Sequence, residues 1–195
     1  MKTLLITKNI EDKNFGGREL LSKSNTESLF KIYSSNLEIY EIQKLNQSKV
    51  QKLLSIHRGY IDGVSSSIIK EITDLISRKN IEQVFIDGSN FGAISKAVKK
   101  QHPNVRITIF FHNSECRFFY GAFLANPSIH SAGGLLSNYY AEKFSVHFSD
   151  LRICLNHRDS DLLGKIYKKK ATHISELAMR DNFDSERQSN KIEAN

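Results

Sequence analysis

Val105-Arg106-Ile107-Thr108-Ile109-Phe110-Phe111-His112-Asn113-Ser114-Glu115 is the stretch whose reading decides the fold. Its first seven residues are largely β-branched and aromatic, which marks a buried strand. The run then ends abruptly in a His, an Asn and a Glu. An open α/β sheet delivers polar groups in this way to the carboxyl edge of its strands, where ligands bind.

Working outward, Pro103 closes the element before this strand, and Ala93, Ile94, Ala97 and Val98 give that element the spacing of a helix. Val84-Phe85-Ile86-Asp87 is a second buried strand, with Gly88-Ser89-Asn90 turning into the helix, and Ser89 or Asn90 is the expected cap. Further back, Val64, Ile68, Ile69, Ile72, Leu75 and Ile76 recur at three- and four-residue steps from Ile61, and Asn80 supplies the stop. Helix, strand, helix, strand predicts parallel strands joined by right-handed crossovers.

Leu4 to Thr7 reads as a first core strand, and Asn36 to Ile42 alternates as a strand nearer the sheet edge. On the other side, Ser114 to Leu136 crowds Phe118, Phe119, Tyr120, Phe123 and Leu124 together and ends in Ala132-Gly133-Gly134. Two readings fit it: a packed helix with a glycine exit, which is favoured, or an apolar loop that meets an acceptor or a membrane surface. Asn138 to Phe148 is helical, and Leu151 to Leu155 is another strand. Asp159-Ser160-Asp161 then caps a helix carrying Leu162, Leu163, Ile166 and Tyr167. Thr172 to Leu177 makes a last strand, and the polar stretch 185–195 is expected to be disordered.

The chain of 195 residues carries 39% hydrophobic and 25% charged residues, which fits one sizeable globular domain and excludes global disorder. A net charge of +7 permits anionic partners. The basic residues are scattered, however, and no recognition-helix pattern accompanies them, so no nucleic-acid partner is expected. Lys168-Lys169-Lys170 reads as charge complementing a helix C-terminus. Cys116 and Cys154 have neither metal spacing nor a disulfide framework and read as buried small apolar residues of a cytoplasmic protein. The N-terminal apolar stretch breaks at Lys8, which speaks against a signal peptide, and no run has the length of a transmembrane helix.

For chemistry, His112, Asn113 and Glu115 follow a central strand, with His112 placed for an acid/base or hydrogen-bonding role. Asp87 ends the neighbouring strand and faces the same crevice. Gly16-Gly17 follows the first strand and precedes a helical stretch, so it is either an ordinary turn or a close backbone approach to a ligand, with Arg18 in reach of an anion. The dinucleotide glycine spacing, the phosphate loop and the nucleophile elbow are all absent, and no zinc spacing appears. Glu41, at the end of the second strand, is the one feature that suits an oxidoreductase-like nucleotide domain.

Taken in order, Phe15-Gly16-Gly17-Arg18-Glu19, Val84 to Ser89, Phe110 to Glu115 and Arg152-Ile153-Cys154-Leu155-Asn156-His157-Arg158-Asp159-Ser160 resemble the N-terminal domain of GT-B fold glycosyltransferases, over roughly residues 1–184. The closest likeness is to bacterial, largely retaining members that build capsule, O-antigen or other surface polysaccharide. The resemblance implies an α/β, Rossmann-like, open and mainly parallel sheet with helices on both faces. It also implies transfer of a sugar from a nucleotide-sugar donor to a glycan or lipid-linked acceptor, with no cofactor and no metal. Gly16 and Gly17 would lie near the donor diphosphate, His112 beside the transferring sugar, and Arg18 and Glu115 at the acceptor, with Asp87 and Asn113 lining the same groove. Location would be cytoplasmic, or peripheral at the inner face of the membrane.

Such enzymes hold the nucleotide-sugar on a second Rossmann-like domain, for which these 195 residues leave no room. A half without it should have little transferase activity, because donor and acceptor must be held together. A shortened gene, an isolated domain and a half that pairs with a separately encoded C-terminal partner all remain open. The alternative is a non-catalytic α/β module that binds or pairs with a partner.

Overall fold

The computed structural model describes residues 1–9, 16–43 and 55–175. The tail expected over 185–195 and most of the loop from Asn9 to Gly17 lie outside them. The elements are β1 (Thr3–Lys8), α1 (Gly17–Tyr33), β2 (Leu37–Ile42), α2 (Ser66–Lys79), β3 (Gln83–Asp87), α3 (Gly92–Gln101), β4 (Arg106–Phe111), α4 (Glu115–Ala125), α5 (Ile129–Phe148), β5 (Leu151–Cys154), α6 (His157–Tyr167) and β6 (His173–Ile174). All strand pairs are parallel, in the order β2-β1-β3-β4-β5-β6. This is an open, Rossmann-like α/β sheet. Its strand order reverses between β1 and β3, the switch point at which such sheets leave a crevice above their carboxyl ends.

Alternation along the strands sorts the core into two layers. Leu4, Ile6, Val84, Ile86, Ile107, Ile109 and Phe111 point to one face and pack under Ile72 and Ile76 of α2, Ile94 and Val98 of α3, Val146 of α5 and Leu163 of α6. Leu5, Phe85 and Phe110 point to the other, where Leu29 and Tyr33 of α1 cover them. The first face is buried by several helices and the second, among the described residues, by α1 alone. By the same alternation Thr7, Asp87 and His112, each two positions beyond a residue of the second layer, project toward α1.

Several local expectations change. Gly133 and Gly134 are not an exit: they sit inside α5, and the break falls at Asn126-Pro127-Ser128. Ser128 starts α5 with a reciprocal cap, its hydroxyl accepting from Ser131 N while its own N–H reaches the Ser131 hydroxyl. Ser114 to Leu136 is therefore a helix and the start of a second one. The helix α6 is capped by Asn156, whose Oδ1 accepts from Asp159 N at 2.8 Å, so Asp159, Ser160 and Asp161 lie within it. Neither Ser89 nor Asn90 caps α3 with its side chain. The helix α2 begins later than expected, at Ser65, whose hydroxyl accepts from Ile68 N, and Val64 is buried ahead of it. Of the cysteines, Cys154 is buried but Cys116 only partly so. Lys168 takes the left-handed cap after α6 with φ 63°, which places the lysine run at that helix's C-terminus.

Gly92 sets the closest helix contact. A Cβ there would collide with the Ala141 carbonyl of α5, so this approach requires glycine. Ser145 Oγ donates to Ser89 O at 2.7 Å across the same contact. It thereby fixes the turn that follows β3.

Candidate functional site

The group at the switch point is built around Asp87, which is 2% exposed at the carboxyl end of β3. Thr7 Oγ1, at the end of β1, donates to Asp87 Oδ2 at 3.3 Å, and Asn25 Nδ2 of α1 donates to Oδ1 at 2.8 Å. Ser22, one helical turn before Asn25, faces the same carboxylate and helps to keep it ionised. His112, just past β4, brings Nε2 to 3.1 Å from Oδ1. That contact has ion-pair range but lies off the line of a hydrogen bond, and Nδ1 has no hydrogen-bond partner among the described residues. Burial works to raise the Asp87 carboxyl; the nearby His112 ring, with Ser22 and Asn25, outweighs it and holds the carboxyl below its usual value.

The imidazole is 5% exposed and stands edge-on to Phe110, with ring centroids 5.2 Å apart. One of its nitrogens faces a carboxylate and the other is uncommitted. This arrangement lets a histidine hold one tautomer while it offers a donor or acceptor to a ligand.

A second set of residues rims the same edge. Gly16 and Gly17 open α1 without a side-chain cap, and Arg18 follows them. Arg18 Nη2 donates to Asn90 Oδ1 at 3.0 Å, Asn90 Nδ2 donates to Asp62 Oδ2, and Arg18 Nη1 stands 4.0 Å from Glu115 Oε1. Asn90, expected as a cap, thus ties the arginine to the loop before α2. Burial pushes the Glu115 carboxyl up, and Arg18 opposes it only in part. The start of α1 also carries Glu19, whose carboxylate folds back toward Gly16.

Gly16, Gly17, Arg18, Asp87, His112 and Glu115 therefore share one edge of the sheet. Asn113 follows at the same edge, exposed in the bend between His112 and Ser114, and no hydrogen bond ties it to them among the described residues. Thr7, Ser22 and Asn25 went unread in the sequence. Thr7 ends a strand as Asp87 does, and Arg18, Ser22 and Asn25 share a face of α1 by their four- and three-residue spacing, so strand-end position and helical spacing were signals available for both.

Behind Glu115 lies a closed polar cluster. Glu142 of α5 is fully buried and accepts from Glu115 N at 2.8 Å, Cys116 N at 3.2 Å, Tyr167 OH at 2.8 Å and, at longer range, Ser114 Oγ at 3.5 Å. It caps the start of α4 from a different helix. Burial, aided by the Glu115 charge, pushes its carboxyl up to about 7 against the Tyr167, Cys116 and Glu115 donors.

Among the described residues no His, Cys, Asp and Glu side chains gather as a metal site, and no helix is long and apolar enough to cross a membrane. Compared with known proteins, the chain matches no family model and no curated protein.

Proposed function

We propose that this chain is the acceptor-side half of a GT-B type glycosyltransferase, of the kind that builds bacterial surface polysaccharide. One observation carries the reading: a buried histidine at the switch point, with one nitrogen on Asp87 and the other uncommitted. In that role His112 hydrogen-bonds a hydroxyl of the transferring sugar, and Asp87 fixes the ring that does so. Arg18 and the uncapped start of α1 favour negative charge near the same point, which suits a diphosphate leaving group. The nucleoside itself is held by a second Rossmann-like unit, and transfer belongs to the two together.

Saturation-transfer NMR and calorimetric titration of the full chain with UDP- and GDP-hexoses test this. Weak binding led by the hexose protons, and lost in His112→Ala, is the expected result. Tight binding led by the nucleoside would overturn the half-enzyme reading. Hexose contacts unchanged in His112→Ala would remove the histidine from the site and favour a non-catalytic module.

A further inference from the structure

Arg18 is held by an amide and not by a carboxylate. Its Nη2 donates to Asn90 Oδ1 at 3.0 Å, while Glu115, at 4.0 Å, stands at the limit of ion-pair range. Asn90 is 2% exposed and both ends of its amide are engaged, Oδ1 by Arg18 and Nδ2 by Asp62 Oδ2. An amide fits its surroundings either way round, so its partners decide which end faces which. A carboxylate only accepts; Asp62 therefore draws Nδ2 to itself and turns Oδ1 toward the arginine. The fold accommodates this chain closely. Asp62 takes a left-handed backbone with φ 50°, in a turn closed by Val64 N on Ile61 O at 3.0 Å. At Gly88, a Cβ would stand 2.5 Å from Asn90 Oδ1 and 3.1 Å from Arg18 Nη2. The Glu115 carboxyl lies within electrostatic reach of Arg18, Asp62, His112 and Lys8, which brings three basic groups to the same edge.

We infer that Asp62 is a positioning residue: by orienting the Asn90 amide it holds the Arg18 guanidinium ready for a diphosphate without neutralising it. A guanidinium grips phosphate oxygens through a planar fork of donors, and a carboxylate set directly against it would both occupy that fork and repel the anion. A neutral oxygen fixes the fork and leaves its charge intact. Among the described residues, the bond to Asn90 is the one hydrogen bond that Arg18 makes. The Asp62 charge also polarises the amide between them, which strengthens Oδ1 as an acceptor. The inference rests on the reading above for the presence of a diphosphate at Arg18.

Calorimetric titration of the full chain with inorganic pyrophosphate tests it, because simple charge and the relay disagree in sign. On charge alone, removing an acid near an anion site tightens binding. Asp62→Gly, which suits the left-handed backbone, should instead weaken it about fivefold. Asp62→Asn keeps an oxygen for the Asn90 donor and sheds the charge, so it should bind at least as tightly as the native chain. The exchange D62N/N90D retains one amide and one carboxylate but sets the carboxylate on Arg18, and should bind at least about tenfold more weakly. Pyrophosphate should also shift the side-chain amide resonance of Asn90, and R18Q should abolish both the shift and the binding. The inference is overturned if the native chain does not bind pyrophosphate, if D62G binds undiminished, or if D62N binds as weakly as D62G. Should the double exchange misfold by circular dichroism, the single variants and the amide resonance decide alone. UDP and geranyl diphosphate carry the same group on a nucleoside and on a lipid. UDP binding as pyrophosphate does supports the leaving-group reading; preference for geranyl diphosphate would overturn that reading and leave the relay standing. Failure of the Asp62 variants leaves the hexose test above untouched.

Discussion

Asp87 and Glu142 are both buried carboxylates that receive several hydrogen bonds, yet they sit on opposite sides of their ordinary titration range. The difference lies in what surrounds them. Asp87 has an imidazole at 3.1 Å besides its neutral donors, and that imidazole keeps a buried nitrogen to spare. Glu142 meets a phenol, the Ser114 hydroxyl and two backbone N–H groups, has the Glu115 carboxylate for a neighbour, and leaves no donor idle. A buried acid held only by neutral dipoles secures structure; one held partly by a basic group with unused capacity can serve a ligand.

The sharpest way to break this contrast is Glu142→Ala. It strands two backbone donors and the Tyr167 hydroxyl, and should cost about 4 kcal/mol by urea denaturation. Next comes pH. With its folded value near 7 against an ordinary 4.5, Glu142 binds more protons folded than unfolded between those limits, so stability should fall as pH rises from about 5 to 8. The contribution of this group is about 3 kcal/mol, and Glu142→Gln should flatten the slope. Asp87→Asn sets an amide against the Asn25 donor and should cost about 2 kcal/mol, while the start of α4 keeps its amide-exchange protection. A comparable effect, about 2 kcal/mol, is expected for His112→Ala: the ring makes no well-formed hydrogen bond, but its loss leaves a small void and removes a base from beside Asp87. A loss above about 3 kcal/mol would make this histidine structural and erase the distinction.

The sheet was legible because its central strands are continuous apolar runs, as parallel strands buried on both faces must be. Asp87 and His112 were legible for the same reason: a polar residue at the end of such a run has few places to go but the crevice. The site's other half was not. In α1 the buried positions are Ser22 and Leu29, so the helix shows little apolar rhythm, and the polar face that reaches Asp87 looks like an ordinary solvated one. Glu142 was hidden differently. It is a lone acid among Asn138, Ala141, Ser145 and Val146, which are all buried, and a carboxylate in such small and apolar company was the available clue. The glycine pair misled because glycine punctuates loops more often than it lets helices approach, and here Phe119 of α4 lies against Gly134.

Because α1 both supplies Ser22 and Asn25 to the Asp87 group and forms, among the described residues, the helical cover of Leu5, Phe85 and Phe110, its local opening would dissolve that group and bare that layer in one event. Anything that binds at Arg18 and His112 must then hold this helix shut. Occupancy should register as slowed amide exchange along α1, at Leu29 as well as beside the ligand, with the edge strand β6 unaffected.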